Sequence, residues 1–120
     1  MAIINITSNN FANLVMKASK PTLVLFWAVG SPHYASWDAL LHELDAEGDG
    51  TLGLCKVSAN YAPHIAMRFH IATYPTLALF RDGKLVGTTG GAATMGKIKD
   101  LLATPAAGET GADAAKEPEA

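Results

Sequence analysis

The sequence is poor in cysteine and in charge, and both shortages limit what the protein can do. Its 120 residues include a single cysteine, Cys55, so no disulfide can form within the chain and no cysteine-rich metal site can be built. Charged residues make up 17% of the chain, and the net charge is -2. Because nucleic-acid binding depends on a basic surface that displaces counterions from phosphates, this composition excludes nucleic acid as the expected partner.

Long apolar runs are also missing. No stretch approaches the roughly 18 apolar residues that span a bilayer, and the first residues show no basic region followed by a long apolar segment. We therefore expect a cytoplasmic protein without a membrane partner, and we expect a monomer. The length predicts one domain, residues 1–104. Residues 105–120 carry four acidic side chains and one lysine among Ala, Gly and Pro, which predicts a disordered acidic tail.

What is present is a regular alternation of strand and helix patterns. The apolar run at residues 22–28 indicates a strand that is buried on both faces. Residues 31–47 have the spacing of an amphipathic helix, and Ser31 and Pro32 are favoured as its cap and first residue. Asp82-Gly83 predicts a hairpin turn. The other predicted strands are at 3–7, 51–57, 76–80 and 84–88, and the other predicted helices lie before Lys20, from Asn60 and at 94–102. The predicted order is therefore β-α-β-α-β-α-β-β-α, an α/β fold with a mixed sheet and helices on both faces.

Several short motifs in this order resemble the thioredoxin family. Phe26-Trp27-Ala28 precedes the turn, Tyr74-Pro75-Thr76 precedes the hairpin, and Gly91 follows the last strand. The resemblance covers about residues 2–103 and implies the thioredoxin fold. It also implies that Pro75 is a cis-proline facing the turn after Trp27, with the preceding backbone free to pair with an extended substrate peptide.

The turn itself departs from the family pattern. Where the family has Cys-x-x-Cys, this chain has Ser31-Pro32-His33-Tyr34, and Leu25 stands where many thioredoxins place a buried carboxylate that carries protons. Thiol–disulfide exchange needs an attacking thiolate and a second thiol that resolves the mixed disulfide. A serine hydroxyl cannot replace either one. We therefore expect no disulfide oxidoreductase activity, no catalytic residue and no cofactor.

The hypothesis that follows is a redox-inactive protein that serves as a peptide-binding, protein-binding or chaperone-like module. Its partner is then a protein or an extended peptide. Two alternatives stay open: a glutathione-related enzyme that uses the hydroxyl of Ser31 or Tyr34, and a non-catalytic subunit of a larger assembly. The residues expected to bind the partner lie in the turn, in the loop before the hairpin and after the last strand: Trp27, Gly30, Ser31, Pro32, His33, Tyr34, Thr73, Tyr74, Pro75 and Gly91.

The remaining reactive side chains are predicted to be structural. Cys55 lies in an apolar strand, where a free thiol is expected to be an unreactive core residue with a raised pKa. The four histidines do not have the spacing of a ligand set, because His64 and His70 do not share a helix face and His42 lies on the solvent side of its helix. We expect no metal site.

Overall fold

The computed structural model describes residues 3–48 and 50–104 and places five strands, a π-helix and three α-helices along them. This order agrees with the sequence prediction, and the predicted α/β fold with a mixed sheet is confirmed. The tail predicted at 105–120 lies outside the described residues. In chain order the elements are β1 Ile4–Ile6, the π-helix Ala12–Met16, β2 Thr22–Trp27, α1 Tyr34–Glu47, β3 Gly53–Ser58, α2 Pro63–Arg68, β4 Thr76–Arg81, β5 Lys84–Gly90 and α3 Met95–Leu102.

The strands form one sheet in the order β1-β3-β2-β4-β5. β1 and β2 both run parallel to β3, whereas β4 is antiparallel to β2 and to β5. The β4–β5 hairpin turns at Asp82 and Gly83, whose φ values of +53° and +77° both lie in the left-handed region. The Asp-Gly pair suits such a turn because glycine adopts this conformation without a steric cost.

An apolar layer covers each face of the sheet. On β2, Val24 and Phe26 face the layer that contains the π-helix and α2, while Leu23 and Leu25 face the layer that contains α1 and α3. All four side chains are fully buried. The continuous apolar run in the sequence therefore reflects a strand with protein on both sides, as predicted.

The structure differs from the prediction in the type of one helix and in the starts of two others. The first helix is π-helical, with the Lys17 amide donating to the Ala12 carbonyl at 2.8 Å. α2 begins at Pro63, three residues after the predicted start at Asn60, because the missing N–H of proline costs nothing at the first helical position. α1 begins at Tyr34, three residues after the predicted start at Ser31. Among the described residues, no helix has both the length and the apolar character that crossing a bilayer requires.

Candidate functional site

The loops after β2, β3 and β5 and the loop before β4 meet at one end of the sheet, where β1 also ends. β2 and β3 end there, β4 begins there because it runs antiparallel to β2, and β5 returns there. The pairing of Phe26 with Thr76 puts Pro75 across from Trp27, one step beyond the last paired residues. The Tyr74–Pro75 peptide bond is cis. A Cβ atom at Gly90 would lie 3.0 Å from the Pro75 carbonyl oxygen, so the end of β5 packs against the same loop.

Ser31 closes the turn that follows β2. Its amide donates to the Ala28 carbonyl oxygen at 3.0 Å, its Oγ accepts from the Ala28 amide at 2.8 Å, and its hydroxyl donates to the Ala28 carbonyl oxygen. Ser31 therefore does not cap α1. Gly30, with φ of +83°, takes the left-handed conformation that this tight turn requires.

The cap position of α1 belongs to His33, whose φ is +66° and whose side chain makes no capping hydrogen bond. A left-handed residue cannot continue a right-handed helix. The prediction that Ser31 and Pro32 begin the helix is wrong for this reason. Pro32 and His33 are both exposed and lie at the surface of the turn.

Tyr34 lies at the start of α1 and contacts both neighbouring strands. Its ring centroid is 4.7 Å from that of Trp27. The Lys56 ammonium donates to the Tyr34 hydroxyl oxygen at 3.0 Å and to Asp38 Oδ1 at 2.9 Å. Because Lys56 is the donor in the first of these bonds, the Tyr34 hydroxyl proton stays available for donation to another group.

Sequence reasoning missed Lys56 and Asp38. Burial lowers the pKa of Lys56, but the hydrogen bonds to Tyr34 and Asp38 outweigh it and the pKa is raised overall, so the ammonium is a stable donor at neutral pH. The signal in the sequence was a lysine inside an otherwise apolar strand. Leu25 pairs with Lys56 across β2 and β3 and is fully buried. β2 has Leu25 beside Lys56 and supplies no carboxylate there, so the carboxylate that pairs with Lys56 is that of Asp38 on α1.

The loop after β5 is held by two side chains that the sequence did not single out as part of the site. Trp37 Nε1 donates to the Gly91 carbonyl oxygen at 2.9 Å. Lys97 Nζ donates to the carbonyl oxygens of Gly90 at 3.0 Å and of Ala92 at 2.8 Å. Three successive carbonyl groups are thus fixed next to the Pro75 loop.

The Pro75 loop is held by its own side chains. The Thr76 hydroxyl donates to the Thr73 carbonyl oxygen at 2.7 Å, and the Tyr74 hydroxyl donates to the Ile71 carbonyl oxygen at 3.2 Å. Thr73 is exposed and Tyr74 is half-buried. The structure therefore brings the predicted residues Trp27, Tyr34 and the 73–75 loop to one end of the sheet, with Gly91 beside them.

Cys55 lies away from this end. It pairs with Val24 in the middle of the sheet, is 3% exposed, and belongs to the layer that contains α2. Burial raises the pKa of the Cys55 thiol to about 11, although the nearby charge of Lys20 lowers it. The thiol is therefore protonated at neutral pH and is a poor nucleophile.

The histidines are dispersed. His42 Nε2 lies 3.5 Å from Asp38 Oδ2, and His64 Nε2 lies 3.2 Å from Ser8 Oγ. In the part of the chain that the structure describes, no three His, Cys, Asp or Glu residues are grouped as metal ligands would be.

Comparison with known proteins gives a consistent result. The family model described as Thioredoxin matches residues 2–104. The chain is 32% identical over 105 residues to a thioredoxin of Mycobacterium tuberculosis, covering 84% of this chain and 90% of that protein. It is 33% identical over 100 residues to thioredoxin C-2 of Corynebacterium nephridii, covering 83% and 93%. A bifunctional thioredoxin reductase/thioredoxin of Mycobacterium leprae is 29% identical over 103 residues, which cover 82% of this chain and 22% of that protein.

These relatives overturn the function predicted from the sequence. That prediction was a redox-inactive binding or chaperone-like module, with a glutathione-related enzyme or a non-catalytic subunit as alternatives. Two of these relatives are named as thioredoxins, and the match covers 90% and 93% of their length. Their names point to redox function, so the prediction is wrong. It rested mainly on the residue types at 31–34 and at Leu25, which lack the groups that exchange thiols and carry protons.

Proposed function

Because this chain belongs to the thioredoxin family, we propose that it acts on protein substrates in thiol–disulfide exchange, with the exchanging sulfur atoms supplied by the substrate and by a reducing thiol. A protein partner agrees with the family. Within this proposal the chain holds the substrate segment and stabilises the thiolate that leaves. The ten residues predicted as the binding site form the docking surface.

The exchange proceeds in two balanced displacements. A thiolate of the reductant attacks one sulfur of the substrate disulfide, and a new S–S bond forms as the old one breaks. The electron pair of the broken bond stays on the second substrate sulfur, which leaves as a thiolate. A second reductant thiolate then attacks the reductant's sulfur in the mixed disulfide, so the reductant becomes a disulfide and the first substrate sulfur is released.

The proposal depends on the position and the hydrogen bonding of Tyr34. Its hydroxyl oxygen accepts from Lys56 Nζ at 3.0 Å, so its own proton can be donated to a sulfur anion. It also lies in the first turn of α1, where the partial positive charge of the helix N-terminus favours a thiolate. Both effects act on the charge that develops as the disulfide breaks.

The loop before β4 supports the proposal that the chain holds a segment of the substrate. Thr73 is exposed at the edge of the site, and its carbonyl group is fixed by Thr76 at 2.7 Å. A backbone fixed in this way can pair with an extended segment of the substrate through main-chain hydrogen bonds. We propose that the substrate's cysteine-bearing segment lies along residues 73–75 and faces Trp27 and Tyr34.

Reduction of insulin by dithiothreitol tests this function. A hydrogen bond to a charged group is worth about 1.5 kcal/mol, which corresponds to roughly tenfold in rate. We expect the protein to accelerate reduction by about that factor over dithiothreitol alone, and Tyr34→Phe to lose most of the acceleration. Cys55→Ala is the matched control, since it removes the chain's only sulfhydryl and should leave the rate unchanged. No acceleration by the wild type, or its loss in the control, would contradict the proposal.

The cytoplasmic location and the monomeric state stay predictions. Fractionation of the native host tests the first, and light scattering of the purified protein tests the second.

A further inference from the structure

A serine and a histidine form a hydrogen-bonded pair outside the site described above. Ser8 Oγ lies 3.2 Å from His64 Nε2, although the two residues are 56 positions apart in the chain. Ser8 follows β1, His64 lies in the first turn of α2, and both residues are exposed. A hydroxyl group within hydrogen-bond reach of an imidazole is the arrangement of a nucleophile and its general base.

Packed backbone brings the two side chains together. Ile6 and Phe11 flank the turn that carries Ser8, and Ile65 and Ala66 follow the histidine on α2. All four are buried in the apolar layer that contains the π-helix and α2. Because each reactive residue adjoins a segment fixed in the same layer, the position of the pair is determined by the fold and not only by the bond between two exposed side chains.

The turn that carries Ser8 uses its other amides and leaves that of Ser8 available. The Thr7 amide donates to Asn10 Oδ1 at 2.8 Å, the Asn9 amide to Thr7 Oγ1 at 3.2 Å, and the Asn10 amide to the Thr7 carbonyl oxygen at 3.3 Å. Within residues 3–48 and 50–104, the Ser8 amide has no acceptor. In serine hydrolases the amide of the nucleophile is itself one of the donors to the oxyanion of the tetrahedral intermediate.

We propose that Ser8 and His64 form a catalytic dyad that transfers the acyl group of an activated ester to Ser8 and then to water. This activity goes beyond the proposed function and shares no residue with it.

The reaction proceeds through an acyl-enzyme. Ser8 Oγ attacks the carbonyl carbon, its proton passes to His64 Nε2, and the carbonyl π electrons move onto the carbonyl oxygen. When this tetrahedral intermediate collapses, the bond to the leaving oxygen breaks, the electron pair leaves with that oxygen, and the proton held by His64 follows it. Water then attacks the ester on Ser8 and gives a proton to His64. The Ser8 oxygen leaves with its electron pair and regains that proton.

The surroundings of the dyad define the class of ester. Asp38 supplies the carboxylate in both ion pairs found in the described part of the chain, so no carboxylate there orients the imidazole of His64. In serine hydrolases such a carboxylate is worth about 10⁴ in kcat. The dyad therefore gives little help to a poor leaving group, and it requires one that departs as a stable anion. Aryl esters, whose leaving group is a phenolate, meet this requirement.

Hydrolysis of p-nitrophenyl acetate by the full chain tests the inference. The reaction is run at pH 8, above the usual titration range of histidine, because the base must be unprotonated. It is quenched with acid during the first turnover, and mass spectrometry of the peptides locates the acetyl group. We expect acetylation of Ser8, at a rate at least tenfold higher than in His64→Gln. Release of p-nitrophenolate should fall several-fold in both Ser8→Ala and His64→Gln.

Two matched controls separate the dyad from isolated side chains of the same kinds. His70→Asn removes another exposed imidazole just beyond α2, and asparagine tolerates the φ of +59° at this position. Ser36→Ala removes an exposed hydroxyl on α1. Neither should change acetylation of Ser8 or release of p-nitrophenolate. All four substituted residues are exposed, so the variants should fold as the wild type does, which far-UV circular dichroism checks.

Three results would overturn the inference. Acetylation of Ser8 at an equal rate in His64→Gln would show that the imidazole is not its base. Acetyl groups on lysines, histidines or the amino terminus, with Ser8 unlabelled, would show that Ser8 is not the nucleophile. A loss of p-nitrophenolate release in His70→Asn equal to that in His64→Gln would show general catalysis by imidazole. None of these results bears on insulin reduction, so the proposed function is tested separately.

Discussion

At the scale of single residues, burial controls the chemistry of Cys55. The thiol is 3% exposed and its pKa is raised from 9.0 to about 11. The folded protein therefore holds the thiol proton more tightly than the unfolded chain does. Between pH 9 and pH 11 the unfolded chain releases this proton first, and the free energy of unfolding falls as the pH rises. The stability that the protonated Cys55 thiol contributes is complete below about pH 9 and is lost as the pH rises through about 11.

We expect the wild type to lose about 1.4 kcal/mol of stability between pH 7 and pH 10 relative to Cys55→Ala, because one unit of pH above the unfolded pKa corresponds to this amount. Urea unfolding of both proteins at the two pH values gives the difference directly. The comparison with Cys55→Ala cancels the effect of pH on every other group. Equal losses in the two proteins would mean that the thiol titrates normally in the folded state.

At the scale of elements, the start of α1 contains a favourable turn and an unfavourable cap. Ser31 satisfies both the amide and the carbonyl of Ala28. His33 occupies the cap position at φ of +66° without a capping hydrogen bond. A non-glycine residue in the left-handed region costs about 1 to 2 kcal/mol, which glycine avoids. The two residues should therefore respond to substitution with opposite signs.

We expect His33→Gly to stabilise the protein by about 0.5 to 1 kcal/mol, since the relief of the left-handed conformation is partly offset by the entropy of glycine. Ser31→Ala should destabilise it by about 1 kcal/mol through the lost hydrogen bonds. Denaturant unfolding at pH 7 measures both changes. Destabilisation by His33→Gly would show that the imidazole makes a contact worth more than the strain it imposes.

The element order could be predicted from the sequence, but the contacts between elements could not. Apolar spacing and the Asp82-Gly83 pair are local signals, so β2, the end of α1 and the hairpin were predicted close to their observed bounds. The start of α1 was missed because Ser31 has a bonding partner in the turn that local cap preferences do not reveal. The bond from Lys56 to Asp38 joins residues 18 positions apart and depends on how α1 packs on β3. Function was inferred mainly from the residues at 31–34 and Leu25, and the relatives named thioredoxin contradicted it.

At the scale of the whole molecule, one sheet supports two apolar layers. Leu79 and Phe80 are neighbours on β4, yet Leu79 belongs to the layer with α1 and α3 and Phe80 to the layer with the π-helix and α2. Both side chains are essentially fully buried. A strand shared in this way cannot lose one layer and keep its position in the other, so we expect the two layers to unfold together.

Phe80→Ala tests this coupling. We expect it to cost about 3 to 5 kcal/mol, and Leu79→Ala about 2 to 5 kcal/mol, because each leaves a cavity in a packed layer. Unfolding of Phe80→Ala in urea should give the same midpoint by far-UV circular dichroism and by tryptophan fluorescence, to which Trp37 contributes from the opposite layer. Thr88→Ala at an exposed position of β5 should change stability by less than about 0.5 kcal/mol. Separate midpoints in Phe80→Ala would show that each layer is stable without the other, and the shared sheet would then not explain the stability of the domain.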